Sequence, residues 1–509
     1  MPRLRGIQLG SSEMTIILAT LNARWSHCAF GLRYLLANMG PLQAQTAIRE
    51  FTISDPPARV VERLLAESPT IVGFGIYIWN RRETTQVIQI LKQVAPQVQV
   101  VIGGPEPTHA AENDALLQLA DVTIRGEADT AFRDVCLELL AGTPTAKIIA
   151  TPKPDPARLV LPYDLYTDND LAHRLIYVEA SRGCPFTCEF CLSSIEDGVR
   201  AVPLEPFLAA MGRLLDRGCR TFKFVDRTFN LKPSTATAIL TFFQERWRDD
   251  LFLHFEMVPD RLPESVQALL AWFPAGSVQL EIGIQSFTPL VGELISRRMD
   301  TAKTETNLTW LREHTGIHVH ADLIVGLPGE TPETFRSSFD ALWRMKPGEI
   351  QVGILKLLPG TPLIRHVVPF AMQFNRETPY DLLASREFPF VQMQRFKRFA
   401  RYFEIYVNDG GFVRGLELAL EHAPSDSPFD GFLAFTDWLW ATTGAEHGIA
   451  RARQYLLLAE YLDQLGIARE IVDEALATDA VATNCTSIPS RLHAAAERAR
   501  RLASSPSVR

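Results

Sequence analysis

The chain has 509 residues, 47% hydrophobic and 22% charged, too many for one hydrophobic core and enough for two to four domains. A net charge of −8 and a pI near 5.8 exclude the basic excess of a dedicated nucleic-acid binder, and no apolar run reaches the roughly 18–20 residues that span a bilayer. The seven cysteines, scattered apart from one cluster, make no disulfide framework and suit a reducing cytosol.

Arg3 and Arg5 ahead of "TIILATL" imitate a secretory signal, but the apolar stretch is short and flanked by Glu13, Asn22 and Arg24. A buried first strand is the better reading, and Met14 is a second candidate start. Strands are expected at Thr15–Leu21, Gln45–Phe51, Ile71–Ile76, Val98–Ile102 and Val122–Arg125. Helical patterns at Phe30–Met39, Arg59–Ala66, Arg82–Val94 and Asn113–Ala120 alternate with them. That alternation predicts a doubly wound parallel sheet over residues 1–150, with its ligand beyond the carboxyl ends of the strands.

Residues 151–170, with four prolines and several acidic residues, read as an extended linker. From 171 to 365 the alternation resumes, with strands expected at Leu175–Ala180, Thr221–Val225, Leu251–Glu256, Val278–Ile284, His318–Val325 and Glu349–Lys356. Six such units predict a partial or complete βα barrel. Over 366–509 the pattern turns helical, with an aromatic stripe at Phe396, Phe399, Phe403 and Tyr406. The basic residues among them read as a solvated face, and the tail from about 486 as fraying.

One stretch carries the chemistry. "RGCPFTCEFC" places Cys184, Cys188 and Cys191 in a Cys-x₃-Cys-x₂-Cys array, which chance would give roughly 0.001 times in a chain of this composition. A structural zinc site would need a fourth ligand. Cys219 and His173 both precede their strands, whereas the triplet follows one, so they belong to the opposite rim, roughly 17–20 Å away. Three thiolates on a four-iron cluster would instead leave one iron open to a ligand.

This spacing after the first barrel strand resembles that of the radical S-adenosylmethionine (SAM) enzymes. The resemblance implies that Cys184, Cys188 and Cys191 hold a [4Fe-4S] cluster and that SAM chelates the open iron. It also implies that cluster reduction yields a 5′-deoxyadenosyl radical. Matching SAM contacts follow in family order: Phe190, Glu256 in "LHFEMVPDRL", Gln285 in "LEIGIQSF", Arg297 in "LISRR" and Asp322 in "HADLIVGLPGET". Carboxylates, an amide and a guanidinium suit a zwitterionic nucleoside. The family's glycine pair after the second strand is missing. "FKFVDRTFN" stands there, leaving Asp226, Arg227 and Asn230 for other work, such as substrate binding.

The N-terminal sheet resembles the Rossmann-like, flavodoxin-type cobalamin-binding domain of a large radical SAM subclass. Glycines lie where a flat macrocycle would approach backbone, and the implied contacts are Asn22, Gly73, Gly75, Tyr77, Gly103, Gly104, Pro105, Gly126 and Glu127. The Asp-x-His-x-x-Gly signature is absent. His27 stands four residues before Gly31 with Trp25 at the Asp position, so it reads as a packed loop histidine and the lower face of cobalt has no predicted ligand. The wording of "ATLNARWSHCAFGLRYL" and "FVDRTFN", followed by helices, resembles B12-binding radical SAM proteins with an uncharacterised C-terminal domain.

The expectation is a cytoplasmic cobalamin-dependent radical SAM enzyme, a C-methyltransferase using methylcobalamin. Its substrate would be a small molecule or peptide and its electron donor a flavodoxin or ferredoxin, without nucleic acid or membrane. Two alternatives remain at this point: a corrinoid-assisted cyclase or rearrangement enzyme, and a non-catalytic cluster or corrinoid sensor.

Overall fold

The computed structural model describes residues 15–195, 198–423 and 425–503. The readings on Arg3, Arg5, Glu13 and Met14, and on the last six residues, lie outside them.

Strands β1 (Ile16–Asn22), β2 (Thr46–Thr52), β3 (Ile71–Gly75), β4 (Gln99–Gly103), β5 (Val122–Arg125) and β6 (Ile148–Ala150) form one parallel sheet in the order β2-β1-β3-β4-β5-β6. This is the flavodoxin-type order, with its reversal between β1 and β3. All seven residues of β1 are buried, as a central strand covered by helices on both faces requires. β6 has no sequence signal, because three edge residues, two half-buried and one exposed, carry no period.

The second sheet joins β7 (Ile176–Val178) to β10 (Thr221–Phe224), β11 (Phe252–Met257), β12 (Val278–Gln285), β13 (His318–Val325) and β14 (Glu349–Ile354). All of its pairings are parallel and in sequence order, an open βα array of the kind expected of a partial barrel. A hairpin of β8 (Ser181–Cys184) and β9 (Gly198–Ala201) is inserted after β7 and carries the first cluster cysteine. Along β12 and β13, buried apolar residues alternate with half-buried polar ones, so one face packs on helices and the other presents Glu281, Gln285, His320 and Asp322 to the open side.

The expected linker is corrected by the structure. Residues 156–173 make two 3₁₀ turns and a helix capped by Thr167, with Tyr163 and Tyr166 fully buried. Buried Arg33 and Arg174 pair with Glu50 and Asp170 at 2.8–3.1 Å, fastening this segment to the first sheet.

Helices Phe390–Phe403 and Pro428–Thr443 pack their aromatic faces on helix Pro332–Met345 of the barrel. Phe399 and Phe403 lie 5.3 Å from Phe339 between ring centroids. The basic residues of the stripe are used internally: Arg395 and Lys397 pair with Asp437 and Asp381, and Arg398 lies over Trp440. Among the described residues no helix is long and apolar enough to cross a membrane.

Candidate active site at the junction of two cavities

The cysteine loop follows β7, and Cys184, Cys188 and Cys191 all line a cavity of about 190 Å³ with Phe190, Glu256, Gln285, Arg297 and Asp322. Every SAM contact expected from the sequence is thus at one rim. Cys219 is fully buried just before β10, where its Sγ donates weakly to Thr221 O at 3.7 Å and burial pushes its thiol up to about 12. Among the described residues no three His, Cys, Asp or Glu side chains gather as ligands of a single ion.

Three buried polar atoms in this cavity have no partner among the described residues: Gln285 Oε1, Arg297 Nε and Asp260 Oδ1; a fourth, Asp322 Oδ1, meets only His320 Nε2, at 3.1 Å. Such atoms cost stability unless a ligand satisfies them. Gln285 follows a bulge in β12 and has φ +71°, which turns its amide into the cavity. Arg297 donates from Nη1 to Cys188 Sγ at 3.4 Å and from Nη2 to Gly283 O. Burial raises the carboxyls of Glu256 and Asp322, while His254 donates to Glu281 and holds it down near 2. The donor set therefore fits SAM: the guanidinium groups of Arg227, Arg297 and Arg298, several carboxylates and buried polar atoms left without a partner surround a cysteine triplet.

The sequence did not single out two residues that matter here. Asp260, in the quoted "LHFEMVPDRL", also leaves Oδ1 buried and unpartnered in this cavity. Glu189, buried between two of the cysteines, accepts hydrogen bonds from Ser296 Oγ at 2.6 Å and Arg365 Nε at 2.7 Å and meets His366 Nε2 at 2.9 Å. A carboxylate inside a cysteine loop was the available signal, but its partners are distant in sequence.

A second cavity, of about 650 Å³, opens where the carboxyl ends of β1, β3, β4 and β5 face the barrel. Asn22, Gly73, Gly75, Tyr77, Gly103, Gly104, Gly126 and Glu127 line it, as expected of a cobalamin site. Gly104 has φ +105°, and a Cβ there would fall 2.6 Å from Ile76 O, so only glycine fits. Pro105 does not line the cavity; it opens helix Pro105–His109. Asn22 spends its amide on His27 O and Glu50, and Glu127 is paired with Arg182 and Arg200. His27 does line the cavity, with Nδ1 held at 2.5 Å by the Tyr177 hydroxyl. The glycine-lined, largely apolar cradle fits a large flat ligand.

The family models agree with this geometry. The B12 binding domain matches residues 15–136, the Radical SAM superfamily 178–342, and the protein of unknown function DUF4080 369–504.

The chain is a B12-binding radical SAM protein.

Its relatives include the uncharacterized methyltransferase PH0819 of Pyrococcus horikoshii, 24% identical over 72% of this chain and 84% of that protein. The cobalamin-dependent radical SAM methyltransferase TokK of Streptomyces tokunonensis is 24% identical over 58% of this chain, which spans only 48% of TokK. The same shares hold for the 2-(S-pantetheinyl)-carbapenam-3-carboxylate methyltransferase of Streptantibioticus cattleyicolor, also 24% identical. The solved structure of the radical SAM methyltransferase TsrM from Kitasatospora setae aligns with a TM-score of 0.58 at 18% identity, covering 72% of this chain and 79% of TsrM. That likeness concerns the fold.

The two cavities of this B12-binding radical SAM protein share a wall. Ser193 and Arg227 line both. Arg227 Nη1 lies 3.2 Å from Glu256 Oε1, and the pairing holds its guanidinium charged.

Proposed function

We propose that this chain is a cobalamin-dependent radical SAM methyltransferase acting on a carbon of a small-molecule or peptide substrate. The observation that carries the reading is the shared wall: the cysteine-lined and glycine-lined cavities meet at Ser193 and Arg227. Once bound, SAM at the cluster supplies hydrogen-atom abstraction and cobalamin supplies methyl delivery, so a substrate at that wall would be within reach of both.

The chain's own residues do the placing. Cys184, Cys188 and Cys191 hold the cluster, with Glu189 fixing their loop. Glu256, Gln285, Arg297 and Asp322 would orient SAM, and the ends of β3, β4 and β5 with the loops of Gly104 and Gly126 would seat the corrinoid. Three of the relatives carry methyl transfer in their names, which favours that outcome over cyclisation or a sensor. The reading includes a cytoplasmic location and an external flavodoxin or ferredoxin as reductant.

The test is anaerobic. Reconstituted protein with cobalamin, reductant and methyl-labelled SAM should form 5′-deoxyadenosine and place label on the bound corrinoid. A corrinoid that binds but never takes the label, while 5′-deoxyadenosine accumulates, would turn the assignment to non-methyl radical chemistry. Product formation that survives Cys188→Ala would sink the reading altogether.

A further inference from the structure

The loop after β10 holds three polar residues in a row of roles, and only one is left over. Asp226 is buried and accepts from Ala180 N at 2.9 Å and Ser181 Oγ at 2.6 Å, tying the loop to the start of the cysteine hairpin. Asn230 pairs with the backbone of Val258 in both directions, at 2.9 and 2.8 Å. Arg227 does no such work. Its side chain is 54% exposed within the junction and meets Glu256 through Nη1 alone, at 3.2 and 3.4 Å. Among the described residues its Nε and Nη2 carry no hydrogen bond.

We propose that Arg227 binds a carboxylate of the substrate at the junction of the two cavities, and that it is released for this when Glu256 turns to SAM. The inference rests on the methyltransferase reading, which puts a substrate there. Glu256 lines the SAM cavity, and its two oxygens cannot serve both Arg227 and the hydroxyls or ammonium of a bound nucleoside. The existing pair is half-exposed and held by one nitrogen, so exchanging it costs little. A substrate carboxylate would replace Glu256 on the free fork and leave no charge stranded. A phosphate dianion fits less well. Arg182, the other guanidinium of the corrinoid-side cavity, is already committed to Glu127, Asp129 and Glu179.

The experiment uses anaerobic protein loaded with cluster and cobalamin, with phenylglyoxal labelling of Arg227 read by mass spectrometry. SAM should raise the labelling about twofold or more, because Glu256 lets go. Benzoate should then suppress it, and benzamide, its neutral counterpart, should not. Calorimetric titration should show Arg227→Met binding SAM roughly two- to fivefold more tightly, the size of a half-exposed ion pair, with Arg227→Lys closer to the native protein. If SAM protects Arg227 and Arg227→Met weakens SAM binding, Arg227 is a SAM contact and the proposal fails. Equal protection by benzamide, or no effect of benzoate, also overturns it. Cobalamin retention and 5′-deoxyadenosine formation, scored on the same samples, separate the two readings. Their loss removes the methyltransferase assignment, whereas their persistence with an unresponsive Arg227 removes only the carboxylate.

Discussion

Arg182 grips Asp129 with both terminal nitrogens, Nη1 to Oδ2 at 2.9 Å and Nη2 to Oδ1 at 3.0 Å. Arg182 lies two residues before Cys184, and Asp129 three residues after Gly126, so this fork bolts the cluster hairpin to a corrinoid-facing loop. The same guanidinium pairs with Glu179 at 2.7 Å and Glu127 at 2.8 Å and lies 4.5 Å from the Tyr34 ring centroid. Arg182→Met would strand the buried carboxylates of Asp129 and Glu179 and leave Glu127 to Arg200 alone. It should cost about 3–5 kcal/mol in urea unfolding at pH 7, and Arg182→Lys, which keeps charge but not the fork, should cost less. A loss under about 0.5 kcal/mol would mean that water already screens the cluster.

The difference between what the sequence showed and what it hid follows from range. The radical SAM resemblance supplies an order of contacts along successive strands, and it implied a common rim for Glu256, Gln285 and Asp322 before any contact was known. Arg182 and Glu189 were invisible as fasteners because their partners lie 53 and 176 residues away. Residues 151–170 misled for a similar reason. Prolines signal an extended chain, but Tyr163 and Tyr166 are buried by elements far off in sequence. Pro105 adjoins two cavity-lining glycines in sequence, but the backbone turns at Gly104 and the proline starts a helix instead of facing the ligand space.

Cys219 tests the three-cysteine reading directly. Its thiol is fully buried at the opposite end of β10 and held protonated by burial. Cys219→Ala should leave iron and sulfide content and the cluster's electron paramagnetic signal unchanged. Its stability cost should be about 1 kcal/mol, for a small apolar side chain. Cys184→Ala, Cys188→Ala and Cys191→Ala should each lose most of the cluster iron. Iron loss in Cys219→Ala equal to theirs would make Cys219 the fourth ligand.

Gly104 and Gly142 separate backbone strain from collision. Both have positive φ, +105° and +66°, but a Cβ at Gly142 meets nothing within 4 Å, whereas at Gly104 it meets Ile76 O at 2.6 Å. Gly142→Ala should cost about 1 kcal/mol from conformation alone. Gly104→Ala should cost more, about 2–4 kcal/mol, because backbone on β3's loop must shift. Equilibrium unfolding measures the first difference, and corrinoid retention on gel filtration the second. Gly142→Ala should retain cobalamin, and Gly104→Ala should lose it.

His320 sets a pH dependence on the SAM cavity. Its Nε2 lies 2.8 Å from Gln351 Oε1 and 3.1 Å from Asp322 Oδ1, and its Nδ1 3.2 Å from Glu349 Oε1. Burial pulls the imidazole down, but the hydrogen bonds of Asp322 and Glu349 prevail and lift it from 6.5 to about 10. Glu281 also faces it, and His318 shares Glu349, which is held near 2. A folded value above the unfolded one means the stabilisation is complete below about pH 6.5 and lost as pH rises towards 10. Melting curves across that window should fall more steeply for the native protein than for His320→Gln, the two converging near pH 10. Asp322 lines the SAM cavity, so SAM affinity should weaken over the same window. In His320→Gln that slope should flatten, because no proton remains there to lose. An unchanged slope would place the titrating group elsewhere and leave His320 a packing residue.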